Sequence, residues 1–396
     1  MHRRTYLAAV AGGAGTLTGC AGIGSDSADD DGPDGFAVET VAEGFVDPWG
    51  LSFLPENRML VTERPGRLAL VDRDGGGVER LDGLPDVYAA GQGGLLDVTV
   101  DPEDADRVYL TYAATDGEGR SATHLGAGRL DAEAGALAEF EQLHVATPFV
   151  DSDAHFGSRV VVGGDDRLYV MAGDRQFKDF GPGHVAQDRS NELGAVLRVN
   201  PNGSVPDDNP FVDEAGARDT IFSYGHRNPQ GLTRHPETGA LWESEHGEGD
   251  GDEINVLEAG NNYGWPVASE ACNYGTDDPV GVSHAERDDV TGPAYVWECG
   301  TGGFPPAGTT FYDGDAFPEW QGDLFVGNLA AKYLGHISAV DRQVAEVLRG
   351  EIADEEVAPP LREGVAVVEG HPRRREPARA ALPDVGRARH VVALGV

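Results

Sequence analysis

The feature that most constrains this chain is a short unit that returns along it. A glycine-led apolar strand, a turn rich in Pro, Asp and Gly, and a second strand of the Leu-Tyr-Val type recur five times. The copies are GLSFLPENRMLVTE from Gly50, GLLDVTVDPEDADRVYLTY from Gly94, GSRVVVGGDDRLYVMAGD from Gly157, GLTRHPETGALWESEHG from Gly231, and a weaker GTTFYDGDAFPEWQGDLFVGN from Gly308. Their starts lie 44, 63, 74 and 77 residues apart. Uneven spacing around a shared core is the mark of four-stranded blades with variable loop insertions. A pair of β-sandwiches does not explain a repeated strand-turn-strand unit. The expected fold is all-β, a six-bladed β-propeller. A strand at residues 36–41 is expected to complete the last blade, which is incomplete at the C-terminus.

Charge narrows the partners. The chain holds 68 acidic and 30 basic residues, a formal net charge of −38. Such a surface repels phosphate backbones, so nucleic acid is excluded as a partner. The acid excess is spread along the chain and reads as adaptation to high salt, where counterions screen self-repulsion. Only Lys178 and Lys332 are lysines, which draws attention to any placed ammonium.

The two ends differ from the body. Residues 1–20, MHRRTYLAAVAGGAGTLTGC, carry a basic start with Arg3–Arg4 and an apolar stretch too short to span a bilayer. They read as a twin-arginine-type lipoprotein signal with Cys20 as the lipidated residue. An ordinary cleaved signal with an accidental cysteine is the alternative. Residues 21–36 are a flexible acidic tether. The expected destination is the cell surface, lipid-anchored to the outer face of the cytoplasmic membrane, with no other membrane contact. There Cys272 and Cys299 are free to pair, though sequence alone does not decide it. The propeller domain is expected over 37–365. Residues 366–396 carry six arginines against three acids. No Phe, Tyr or Trp follows Tyr333. This divergent basic tail reads as a frameshift, with a genuine basic tail as the alternative.

Propellers carry function on loops at one end of the channel. Five loops hold polar residues beyond what turns require. Ala90–Gly94 offers Gln92, and by itself reads as a plain turn. Residues 151–159 offer His155 on a polar loop, a general-base candidate near neutral pH. Gly173–Gln176 reads equally as a charged exit turn or a ligand contact. Residues 223–232, SYGHRNPQGL, offer Arg227 for an anion and Asn228 for a planar carbonyl. Residues 244–253, SEHGEGDGDE, crowd five acids and three glycines together ahead of NNYGWP. That supplies oxygen ligands on a bendable loop, a candidate hard-cation site without EF-hand spacing.

At these last two segments the chain becomes recognisable. IFSYGHRNPQGL and SEHGEGDGDEINVLEAGNNYGWP closely resemble the soluble pyrroloquinoline-quinone (PQQ) dependent sugar dehydrogenases, the family of soluble glucose and aldose sugar dehydrogenases. GQGGLLDVTVDP, HFGSRVVVGGDDRLYVMAGD and GDLFVGNLAAK match in the same order, over roughly residues 38 to 340. The resemblance implies a six-bladed propeller and an exported quinoprotein that oxidises the C1 hydroxyl of aldoses to lactones. Electrons would pass to an external acceptor. His155 would take the hydroxyl proton while hydride passes to the quinone. Arg227 would face the developing charge, with Asn228 beside it. Gln92, Arg175, Gln176 and Lys332 would hold the cofactor. The carbonyls of Gly247 and Glu248 would bind the calcium that grips the quinone, and Asp252, Glu253 and Tyr263 a second calcium.

Three departures accompany the match. Ala154 stands before the base where the glucose enzymes have an orienting acid. Glu248 replaces their proline. The Arg-rich strand and later LTD-like turn of the last blade are not found after residue 340. Two other functions fit the scaffold: a non-catalytic binding propeller that has lost the cofactor, and a calcium-dependent lactonase-type hydrolase. The second needs acids fed to the channel centre from several blades.

Overall fold

Alternating apolar residues between glycine turns give strands, and the strands assemble as antiparallel meanders. A computed structural model describes residues 37–330, 333–338 and 364–369, with 37–39, 333 and 364–369 described as backbone only. All of them fall within one unit, Gly32–Val396. Cys20, the leader, the whole tether at 21–36, Lys332 and residues 370–396 lie outside the described residues.

Blade 1 is β2 (Pro48–Leu54), β3 (Arg58–Glu63), β4 (Arg67–Asp72) and β5 (Val78–Leu81). Blade 2 is β6 (Leu95–Val100), β7 (Arg107–Thr115), β8 (Ser121–Asp131) and β9 (Ala136–Val145). Blade 3 is β10 (Val160–Val162), β11 (Leu168–Ala172), β12 (Ala195–Val199) and β13 (Ile221–Tyr224). Blade 4 is β14 (Pro229–Arg234), β15 (Leu241–Glu245), β16 (Asp252–Leu257) and β17 (Tyr295–Trp297). Blade 5 has three described strands, β18 (Pro306–Phe311), β19 (Leu324–Asn328) and β20 (Tyr333–Ile337). Each repeat found in the sequence supplies the first two strands of one blade.

The pleat explains the ring. Successive side chains point to opposite faces, so each blade must bury both. In β7, Val108, Leu110 and Tyr112 pack toward blade 1 with Leu60 and Leu68, while Tyr109 packs toward blade 3 with Leu168 and Val170. Tyr169 and Met171 then meet Leu232 and Leu241 of blade 4, and Trp242 and Ile254 meet Leu324 and Val326 of blade 5. Each such side chain, fully buried, contributes about 1.5–3 kcal/mol. The first strands of all five blades line one central cavity of about 250 Å³, which touches Ser52, Asp97, Arg159, Thr233 and Thr309.

Five blades are present among the described residues where six are expected. The remaining sheet has two strands, β1 (Ala37–Glu43) and β21 (Gly364–Glu369), paired antiparallel from Ala37↔Glu369 to Glu43↔Gly364. Ala42 and the adjacent Phe45 cover the free face of blade 1 formed by Met59, Val61, Ala69 and Val71. The expected N-terminal strand thus exists and pairs with the C-terminal part of the chain. The boundary drawn at residue 365 falls inside β21.

Candidate functional site

Topology gathers the loops. In an antiparallel meander, the connection into a blade's first strand and the connection between its second and third strands lie at the same end. The β5–β6, β9–β10 and β13–β14 connections carry Gln92, His155 and Arg227–Asn228. The β11–β12 and β15–β16 connections carry Asp174–Lys178 and His246–Gly251. Residues far apart in sequence therefore meet at one face.

The centre is His155, 4% exposed and with a positive φ of 46°. Its Nδ1 donates to Asp174 Oδ1 at 2.7 Å, and its backbone N–H donates to Gln92 Oε1 at 2.7 Å. Asp174 is itself 1% exposed and takes further hydrogen bonds from Gln176 N–H and Trp265 Nε1–H, both at 2.8 Å. Burial alone would raise the Asp174 pKa, but its hydrogen bond and charge interaction with His155, and the charges of Arg227 and His184, outweigh it and hold the carboxyl below its usual range. Burial lowers the His155 pKa, with Arg227 and Lys178 adding to the effect against the pull of Asp174. The imidazole is thus neutral at pH 7, and with Nδ1–H committed to Asp174, Nε2 is the basic nitrogen. Asp174 supplies the orienting acid that Ala154 does not. Gly173 permits the close approach, because a Cβ there would lie 2.3 Å from His155 O.

Arg175 corrects an expectation. Its guanidinium stacks on Phe156 at 3.8 Å and donates to Ala154 O, Ser121 O, Ser121 Oγ and Ser152 O. With 2% exposure it braces the His155 loop from behind instead of facing a ligand. Gln92 and Gln176 are exposed at the face.

Arg227 and Asn228 are each 3% exposed. Arg227 lies 5.2 Å over the Trp265 ring, with one NH2 group on His246 O at 3.1 Å and the other on Glu248 Oε2 at 2.6 Å. Arg227 Nε and Asn228 Oδ1 are buried without a hydrogen-bond partner among the described residues. Gly247 is required where it stands, since a Cβ would lie 2.1 Å from Asp250 O and 2.6 Å from Gly251 O.

The acidic loop divides differently from the sequence expectation. Asp252 uses Oδ1 on Gly247 N–H at 3.1 Å and Oδ2 on Phe304 N–H at 2.8 Å. Asp250 Oδ2 accepts from Gly300 and Gly302 N–H. Both acids staple the loop by its own amides and those of residues 300–304, so each Asp252 oxygen already accepts one main-chain hydrogen bond. The Tyr263 hydroxyl donates to Val256 O and accepts from Glu258 N–H, so its side-chain oxygen is likewise engaged. Glu253 instead points into a buried cluster with Glu243 and Glu245 of β15, bridged by Asn255 Nδ2. His226 closes the cluster, with Nδ1 3.1 Å from Glu245 Oε1 and Tyr263 stacked on its ring. Burial opposes its charge, but the two glutamates prevail and raise its pKa to about 9. Burial and mutual repulsion push Glu243 up to about 7 and raise Glu253 well above its usual range. Atoms of His226, Glu243 and Glu245 lie within 4.8 Å of one another. The acidic segment 244–253 includes Glu245 and Glu253 but not Glu243. The alternation Glu243-Ser-Glu245, which puts two acids on one strand face, was the available signal.

Cys272 and Cys299 form a disulfide. It ties the β16–β17 insertion down beside the acidic loop, where Gly249 N–H donates to Cys272 O at 2.8 Å.

With this geometry in hand, comparison places the chain. The glucose/sorbosone dehydrogenase family model matches residues 45–362. The chain belongs to this family. The match runs past residue 340, where the recognisable motifs end. The aldose sugar dehydrogenase YliI of Escherichia coli (strain K12) is 38% identical over 301 residues, 74% of this chain and 78% of the relative. A solved glucose dehydrogenase superposes with a TM-score of 0.72 at 36% identity, covering 85% of this chain and 97% of that one. The PQQ-bound aldose sugar dehydrogenase of Streptomyces coelicolor gives a TM-score of 0.61 at 26% identity, covering 78% and 82%. Membership makes the chain, in general terms, a sugar dehydrogenase.

Proposed function

We propose that this protein is a PQQ-dependent aldose dehydrogenase that oxidises the C1 hydroxyl of aldoses to lactones. The observation that carries the reading is the buried His155–Asp174 pair, a neutral base with its tautomer fixed, set at the face that also holds Arg227 and Asn228. The residues fit the cofactor. Two buried atoms lack a partner among the described residues: the Arg227 Nε–H donor suits an oxygen of an o-quinone, and the Asn228 Oδ1 acceptor suits an N–H or O–H donor of the ligand. The carboxylates of Glu243, Glu245 and Glu253, offset only by the His226 imidazolium, suit a divalent cation of hard, oxygen-seeking type. A non-catalytic binder has no use for either arrangement.

When bound, the quinone supplies a two-electron acceptor for the substrate hydride. His155 Nε2 takes the C1 hydroxyl proton, and Asp174 stabilises the imidazolium that results. The Arg227 guanidinium lies where negative charge develops and stabilises it. Asn228 and Gln92 would orient the ligand, and Lys332, which lies outside the described residues, keeps the cofactor role that the resemblance implies. The Gly247 and Glu248 carbonyls would hold a calcium ion supplying Lewis-acid character to the site, and Glu253 with Tyr263 would hold a structural one. The lactonase alternative is disfavoured: Asp97 is the one acid lining the central cavity among the described residues, and it is paired with Arg159.

The remaining parts of the reading are export by the twin-arginine signal, lipid anchoring through Cys20, an external electron acceptor, a salt-adapted surface and a sixth blade built around β1 and β21. Purified, sequence-verified protein reconstituted with PQQ and calcium is expected to reduce a redox dye when aldoses are added. Folded protein that turns over no aldose under these conditions refutes the activity.

A further inference from the structure

The loop that carries Glu248 holds an arrangement not used above. The Glu248 carboxylate is buried at 6% exposure and serves two cations at once. Oε2 takes the Arg227 guanidinium at 2.6 Å and the Lys178 ammonium at 2.6 Å, and Oε1 also contacts Lys178. Lys178 comes from the β11–β12 connection of blade 3, while Glu248 and Arg227 belong to blade 4 and its approach. The ammonium also lies 5.4 Å from the Phe180 ring and 5.5 Å from the Tyr274 ring, the latter on the disulfide-tied insertion. Three loops are therefore clasped through one carboxylate beside His155. Lys178 is one of two lysines in a chain of net charge −38.

We propose that Glu248 is a built-in counter-anion of the cofactor site, which positions Arg227 and Lys178 and at the same time weakens the binding of an anionic quinone. The inference rests on the quinone reading of the site. Pyrroloquinoline quinone carries carboxylates of its own, and cations that would attract them are already paired with Glu248. A ligand of negative charge must share those donors or face the Glu248 charge at close range, where a like charge opposes binding. A neutral residue of the same shape removes the opposition and leaves both cations available. Lys178 then recruits the anionic cofactor, while the Glu248 carboxylate both holds it in place and restrains it.

The test is direct titration of PQQ into the full-length protein at fixed calcium, read by quenching of tryptophan fluorescence, with the melting temperature recorded alongside. Glu248→Gln is expected to lower the quinone Kd about tenfold, equivalent to about 1.4 kcal/mol. Glu248→Asp, which keeps the charge, is expected to stay near the wild-type value. Lys178→Met is expected to raise the Kd severalfold. Glu248→Pro, which removes the charge with the residue found in the glucose enzymes, gives the same reading as Glu248→Gln if that variant fails to fold. A Kd unchanged or raised in folded Glu248→Gln or Glu248→Pro overturns the inference. Wild-type protein that binds no quinone overturns the function reading beneath it, a separate result.

Discussion

The two halves of the candidate site are built on opposite plans. On the blade 3 side, every described polar contact of His155 and Asp174 closes: Gln92 holds the backbone, Asp174 holds the ring, and Trp265 and Gln176 hold Asp174. On the blade 4 side, polar atoms are left over. Arg227 Nε, Asn228 Oδ1, Glu243 Oε2 and Asn255 Oδ1 are buried without hydrogen-bond partners among the described residues, and carboxylates crowd one another. Buried polar groups are nearly always satisfied. On the proposed function, the protein itself makes the base ready, and a charged ligand completes the surface beside it.

Breaking the closed half should produce the largest effect. His155→Ala is expected to reduce aldose turnover about a thousandfold while quinone binding persists, since general-base catalysis typically contributes 10²–10⁴-fold. Steady-state rates and fluorescence titration on the same variant check this. Asp174→Asn is expected to lower kcat about a hundredfold, because an amide no longer fixes the ring tautomer. It should also move the rising limb of the pH profile. His155 already sits below its usual pKa because of burial, and Asp174 is the partner that raises it. Removing that partner shifts the limb to lower pH, and a shift to higher pH contradicts the assignment.

Completing the open half should produce a gain instead. Calcium added to metal-free protein is expected to raise its stability, by about 2.7 kcal/mol when present at a hundred times its Kd. Thermal unfolding reads the gain, and Glu253→Gln should reduce it. In the metal-free protein the pH dependence has a definite sign. Burial and the neighbouring Glu245 raise the Glu243 pKa from about 4.5 to about 7 on folding. The folded state therefore binds the extra proton in that window, and stability falls as pH rises through it. His226, raised to about 9, adds a further loss as pH climbs from about 6.5 to that value. Calcium should flatten both slopes, the smallest effect and the one that sharpens the contrast most.

How far the sequence carried the reading differs between the halves as well. The blades were legible because each repeat encodes two adjacent strands, a local pattern of period two. His155, Arg227 and Asn228 were legible because turns alone do not require such residues. Asp174 stayed an ambiguous exit turn, since its partnership with His155 spans blade entry and blade interior and leaves no local spacing. Arg175 and Asp252 were hard to place for the opposite reason. Their charges invite a ligand, but the fold surrounds them with main-chain donors and acceptors that only three-dimensional contact discloses. The β1–β21 pairing joins the two ends of the described fold, and its N-terminal partner alone was visible in the pattern.

On the proposed function, a preset base and a waiting, charged surface together use one quinone to oxidise a sugar. Single-turnover absorbance spectroscopy tests it most directly. Protein loaded with calcium and a stoichiometric amount of PQQ is mixed anaerobically with an aldose. The account predicts that the quinone is reduced once per chain in wild-type protein and that His155→Ala leaves it bound and oxidised. Quinone that binds the folded wild-type protein and remains oxidised in the presence of every aldose contradicts it.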